Sequence, residues 1–232
     1  MKRLGLRIVN AAWGPRGFVA SFEKVRAFGL RPNMILDVGA ASGEWTRECI
    51  QIFPDARYLL IDPIEQNSVS FMALQAQYPN VKFWRGAVGS HPGVLPLHIH
   101  GDQSSFFKST EWYGTGGTQN VEIRTLDSFL ETDEIQPPEI IKADVQGFEI
   151  EVLRGGVNCL KSAQLLLLEL SFRHLYENAP LAHEVITFCG NIGFRIYDIC
   201  SYVQRPRDGE LAQSDFLFAK ENSPLFQYEG WA

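Results

Sequence analysis

The chain predicts an α/β protein with a Rossmann-like, doubly wound parallel sheet, and three stretches carry that expectation. Met34-Ile35-Leu36-Asp37-Val38, Tyr58-Leu59-Leu60-Ile61-Asp62 and Ile140-Ile141-Lys142-Ala143-Asp144 are short apolar runs that contain or end in a carboxylate. Glycine or proline and then a helical pattern follow each run, as when a strand buried on both faces hands over to a covering helix. Strands that alternate with helices in this way belong to a parallel sheet.

Taken in order, residues 14–33 read as an entry loop and a helix. Phe18, Phe22, Val25 and Phe28 recur at helical spacing, and Gly29 and Pro32 close the segment, so 1–33 is expected to be an N-terminal helical extension. The first strand starts at Ile35. Residues 44–53 read as a helix stopped by Pro54, 57–62 as a strand, 65–78 as a helix, and Val81 opens a third strand. The alternation then breaks. Val94 to Ile99 suggests an extra strand with His98 and His100 on one face, a spacing that reads as a solvent-facing edge before it reads as a metal pair.

Residues 101–120 hold four glycines together with Phe106, Phe107, Trp112 and Tyr113. A loop of that length inside a compact domain is usually functional, and its aromatic residues suit a cover over a ligand. Val121 to Asp127 alternates like a strand, with a helix from Ser128. After Ile140 to Asp144 comes a helix carrying Ile150, Val152 and Leu153, and Gln164 to Leu170 is the next strand. A helix near 180–190, a strand over 193–199 and a hairpin-like final strand over 215–219 complete the pattern. The tail, 220–232, carries Phe226, Tyr228 and Trp231. No boundary divides the 232 residues, so one domain is expected.

The turn after the first strand narrows the ligand. Its spacing is G-x-x-x-G, at Gly39 and Gly43, with Asp37 two residues before the first glycine. A carboxylate there would repel the diphosphate that G-x-G-x-x-G turns wrap, but it suits a cationic, amine-bearing molecule. S-adenosyl-L-methionine carries an ammonium and a sulfonium and has no phosphate. Asp37, Gly39, Ala40 and Gly43 are therefore candidate cofactor-binding residues. Asp62 lies 19 residues past Gly43, near the offset of a ribose-binding acid, and reads equally as the cap of a helix begun at Pro63. Ala87 stands in a run of small residues, Gly86 to Gly89, where an adenine ring could lie against backbone.

A net charge of −6 argues against a nucleic-acid partner. The four cysteines are scattered without C-x-x-C spacing, which reads as reduced thiols and a cytoplasmic setting. Arg7 and Asn10 interrupt any signal-peptide core, and Leu165 to Leu168, the longest aliphatic stretch, is far too short to span a bilayer.

Four blocks together resemble the FkbM-type family of S-adenosyl-L-methionine-dependent methyltransferases. They are Asp37-Val38-Gly39-Ala40 with Gly43, the pair Ser104-Ser105, Arg124-Thr125-Leu126-Asp127, and Ile141 to Glu149 with Val152-Leu153-Arg154-Gly155. The last is the most specific, and the match spans most of residues 33–219. Gln146 stands where that family usually has glutamate, and Ala41 where asparagine is frequent. The resemblance implies a seven-stranded, mostly parallel sheet with one antiparallel strand near the edge. It also implies methyl transfer to a hydroxyl of a small molecule, sugar or natural product, and it adds Ser104 to the cofactor-binding set.

A hydroxyl is a poor nucleophile while protonated, so a positioned base or a metal is expected. Asp144, ending the strand beside the first one, is the leading base; the alternatives for it are a divalent metal or the donor's amine. Glu169 and His174, at and after the end of the next strand, are the other catalytic candidates. Glu149 reads as support for Asp144 or as a first-turn helix acid, and Lys142 as a tether for a carboxylate. A nucleotide-dependent oxidoreductase and a non-catalytic donor-binding module are the competing readings. Acceptor identity, metal dependence and homo-oligomer formation stay open at this stage.

Overall fold

A computed structural model describes residues 17–110 and 116–227. In chain order its first half contains α1 (Gly17–Ala27), β1 (Met34–Val38), α2 (Glu44–Ile52), β2 (Arg57–Asp62), α3 (Ser68–Gln77) and β3 (Val81–Arg85). An insert follows, made of β4 (Ala87–Val88), β5 (Gly93–His98) and β6 (Thr118–Arg124), and then α4 (Leu126–Glu131). The second half contains β7 (Ile140–Ala143), α5 (Glu149–Arg154), α6 (Val157–Ser162), β8 (Leu165–Ser171), α7 (Ala182–Asn191), β9 (Phe194–Ile199), β10 (Val203–Gln204) and β11 (Leu211–Lys220).

The main sheet runs β10-β11-β8-β7-β1-β2-β3, with β9 also paired to β11. Every pairing from β8 to β3 is parallel, and β11 is antiparallel to β8, β9 and β10. This is the mostly parallel sheet with one reversed strand near the edge that the resemblance implies. The two-residue β10 brings the total to eight strands.

Side-chain alternation splits the core into two layers. Leu36, Val38, Leu59, Ile61, Ile141 and Ala143 face one layer, packed against residues of α4 to α7. Ile35, Tyr58, Leu60, Ile140 and Leu165 face the other, packed against α1, α2 and α3. A strand covered on both faces must be apolar at nearly every position, which explains the uninterrupted runs. Among the helices, α1 is no loose extension, because Phe18 and Phe22 pack against Trp45 of α2 at 5.5 and 5.9 Å between ring centroids.

Several expectations shift. The segment 101–120 is shorter as a loop, because Thr118 already begins β6, which joins β4 and β5 in a separate three-stranded sheet. Trp112 and Tyr113 lie outside the described residues, as do Tyr228 and Trp231. The helix α6 was hidden behind the glycine pair at 155–156, which reads as a stop. The strand β11 begins at Leu211, because Gln213 and Ser214, polar in sequence, are buried. No described helix is long and apolar enough to cross a membrane.

Candidate active site

The strand order reverses between β1 and β7, and doubly wound sheets open a ligand crevice above such a point. Beneath it, Asp37 and Lys142 stand opposite each other in register. The Lys142 ammonium lies 3.0 Å from Asp37 Oδ1 and donates to the Gly39 carbonyl at 2.7 Å, while the Thr46 hydroxyl donates to Asp37 Oδ2 at 2.6 Å. Burial alone would lower the Lys142 pKa, but the charges of Asp37 and Asp144 outweigh it and hold the pKa raised. The Asp37 side chain is fully buried between the sheet and α2, outside the cavity, and its charge is met from below by Lys142.

The two motif glycines serve different ends. Gly39 has φ +73°, and a Cβ there would lie 1.8 Å from the Asp144 carbonyl oxygen, so the turns after β1 and β7 meet at this point. Gly43, at φ +78°, supplies the left-handed turn into α2. Its Cβ position looks into the Leu60 and Leu74 side chains, so Gly43 does not face the cavity as expected.

Above this floor is a cavity of about 450 Å³, whose lining includes Gly39, Ala40, Asp62, Ala87, Ser104 and Asp144. No helix begins at Pro63, so Asp62 is not its cap; it fixes a turn and keeps an open acceptor. Oδ1 accepts from the Ile64 amide at 2.9 Å and Asn67 Nδ2 at 3.0 Å, fixing the turn after β2, while Oδ2 accepts only from the Ala41 amide at 2.9 Å. Burial raises its pKa against those three hydrogen bonds. Ser104 reaches the cavity wall, but its hydroxyl is engaged within its own turn, donating to Gly101 O and accepting from His100 N. The buried hydroxyl of Ser105 instead donates to the Gln146 carbonyl at 2.7 Å. Phe106 closes the wall by packing on Phe148, with centroids 4.8 Å apart.

Toward β8 and β11 the lining becomes acidic. Gln146, held at φ 54°, donates from Nε2 to Asp144 Oδ1 at 2.9 Å and to Glu169 Oε2 at 2.8 Å. Its Oε1 accepts from the buried Tyr176 hydroxyl at 2.8 Å. Gln213 donates to the same Glu169 oxygen at 2.7 Å, and Asp215 stands opposite Glu169 in register. Burial, then the charges of Asp144 and Asp215, push the Glu169 pKa well above the carboxylate range. Burial raises the Asp215 pKa as well.

Of the sequence candidates, Asp144 and Glu169 meet in this cavity and His174 does not. His174 lines a separate depression with Arg154 and Glu184. Gln146, Tyr176 and Asp215 were missed. The only signal was Gln146 itself, an amide where a third acid was expected. Among the described residues, no group of three or more His, Cys, Asp and Glu could hold a metal ion.

Other motif residues build the frame. Asp127 accepts from the Asn158 and Cys159 amides at the start of α6, and its own amide donates to the Gly155 carbonyl at 3.0 Å. A Cβ on Gly155 would lie 2.0 Å from the Gly89 carbonyl oxygen. Glu149 is fully buried and accepts from the Val145 and Gly147 amides at 3.2 and 3.1 Å, which fixes the turn bearing Asp144 and Gln146.

Burial lifts the Glu149 pKa from 4.5 to about 7. Between those values the unfolded chain is ionised there while the folded chain keeps its proton, so stability must fall as pH rises through the window. The Glu149 share is roughly 3 kcal/mol, and Asp62, Glu169 and Asp215 shift in the same direction. Glu149→Gln keeps a carbonyl for both amides and removes the ionisation. Denaturant melts at pH 5 and pH 8 should therefore differ less for this variant than for the parent; an unchanged difference would refute the assignment.

A mostly parallel sheet with an acid-lined crevice at its reversal point is an architecture of α/β enzymes. Residues 37–196 match the methyltransferase FkbM domain, and the chain belongs to that family. The 2-O-methyltransferase NoeI of Sinorhizobium fredii is 23% identical over 159 residues, covering 62% of this chain and 65% of NoeI. Hexuronic acid methyltransferase AglP of Haloferax volcanii is 33% identical over 61 residues, 26% of each chain. The chain thus spans less than two thirds of either relative. The crystal structure of methyltransferase FkbM from Methylobacillus flagellatus shares the fold, with a TM-score of 0.52 at 15% identity over 84% of this chain and 47% of the other.

Proposed function

We propose that this protein transfers a methyl group from S-adenosyl-L-methionine to a hydroxyl of a sugar or a similar polyhydroxylated small molecule. The observation that carries the donor is the charge of the crevice. Lys142 is the single cation among its described lining residues, and it is already held by Asp37 and the Gly39 carbonyl. A diphosphate would find no counter-charge there, whereas an ammonium and a sulfonium would find several carboxyl groups. Asp62 Oδ2, with room for one more donor, suits a ribose hydroxyl. The relatives' names, a 2-O-methyltransferase and a hexuronic acid methyltransferase, support a sugar hydroxyl as acceptor.

The bound donor supplies an electrophilic methyl carbon. The chain's part is alignment and deprotonation. In this reading Asp144 takes the acceptor's proton, Gln146 fixes the direction of its carboxylate, and Phe106 with Phe148 keeps water from the reacting atoms.

Calorimetry tests the donor directly. The protein should bind S-adenosylhomocysteine and ignore NAD, and the reverse result would sink the reading. Asp62→Ala should weaken binding by roughly 1.5–3 kcal/mol, the worth of a hydrogen bond to a charged group. Equal affinity in a folded variant would leave Asp62 as a residue of the turn alone.

A further inference from the structure

The half of the crevice over β7, β8 and β11 has a chemistry of its own. Asp144, Glu169 and Asp215 succeed one another across three neighbouring strands, and all three reach the cavity. Between them the donors are already committed. Both Nε2 hydrogens of Gln146 go to Asp144 and Glu169, Gln213 serves Glu169, and the Ser201 hydroxyl serves Asp215. Neither arginine nor histidine lines this cavity among the described residues, and Lys142, the one cation of the lining, is held by Asp37 and the Gly39 carbonyl, 3.9 Å from Asp144 Oδ2. The surface therefore offers mainly acceptors and carboxyl groups; its uncommitted donors are the neutral Gln103 Nε2 and, over α2, Trp45 Nε1.

We propose that this half of the crevice selects an acceptor free of anionic groups, a neutral or amino-bearing sugar, and rejects carboxylated or phosphorylated ones. The inference rests on the methyl-transfer reading and divides this chain from a relative named for a hexuronic acid. A hydroxyl or ammonium can donate to Asp144, Glu169 and Asp215. A carboxylate would meet the like charge of Asp144 in a site of low dielectric and lose hydration that a neutral carboxyl or amide donor replaces only in part. The carboxyl groups thus set specificity twice, by accepting from hydroxyls and by repelling acids.

The test separates the two readings. Calorimetry first establishes S-adenosylhomocysteine binding; if that fails, the donor reading falls and the proposal with it. Saturation-transfer NMR on the loaded protein, in buffer containing chelator, then compares methyl glucoside, methyl glucosaminide and methyl glucuronide. The first two should bind, and the glucuronide should bind roughly tenfold more weakly or worse. Asp215→Asn, which removes charge at the far end from Asp144, should narrow that gap. Glucuronide binding as tight as glucoside binding overturns the proposal. So does the absence of binding by any of the three while S-adenosylhomocysteine is bound, an outcome that leaves the donor reading standing.

Discussion

Asp144→Asn should lower methyl transfer by roughly 10²–10⁴, the usual loss when a general base is removed. The substitution is nearly isosteric, and its carbonyl can still accept from Gln146 Nε2, so the turn should keep its shape. Affinity for S-adenosylhomocysteine should change little, because the ribose contact assigned to Asp62 lies over β2. Release of S-adenosylhomocysteine under saturating donor is the measurement. Glu169→Gln is the comparison: burial and its acidic neighbours already favour a protonated Glu169, so its loss should cost less. Near-normal turnover of Asp144→Asn would remove it as the base. Loss of donor binding in a folded variant would make it a donor contact instead.

Gly39→Ala should be among the most damaging single substitutions in the chain. The new methyl carbon would lie 1.8 Å from the Asp144 carbonyl oxygen, and alanine would have to hold φ +73°. Backbone strain and forced displacement together cost roughly 3–5 kcal/mol. For a chain of this length that corresponds to a fall in Tm of about 10 °C or more. Gly43→Ala is the control. Its φ is equally unfavourable, but the added carbon would meet only side chains, at 3.4 Å and beyond, so it should cost about 1–2 kcal/mol. Equal losses at the two positions would show that φ alone, and not the meeting of the two turns, makes glycine necessary at position 39.

The fold was largely legible because burial on both faces leaves a strong mark. Ile35, Leu36, Tyr58, Leu60, Ile140 and Ile141 are apolar for the same reason. What the sequence hid follows from the same physics. Gln213 and Ser214 looked like loop, yet a buried carboxyl group at Glu169 gives such polar side chains a reason to be inside a strand. The turn's spacing makes Asp37 a candidate ligand contact, but spacing reports distance along the chain and not the face of the strand. Only the register that sets Lys142 against it shows where its charge is met. His174 lines a separate depression, while Tyr176, two residues on, reaches inward to Gln146, a division that spacing alone does not report. Asp62 reads in sequence as a helix cap or a ribose acceptor; no helix begins at Pro63, and its Oδ1 fixes the turn after β2 while Oδ2 accepts only from the Ala41 amide.

The contact of Asp127 with the start of α6, and of Gly155 with Gly89, has a consequence for how such chains diverge. These residues belong to the blocks by which the family is recognised, yet they lie in the joinery between the insert and the second half of the sheet. The residues of that joinery and those that face the crevice, such as Glu169, Asp215 and Phe106, are separate sets, so one can change without disturbing the other. A sequence may then advertise its lineage in full while saying little about its diet. The informative differences between two members will lie at the few positions that face the crevice from β8 and β11.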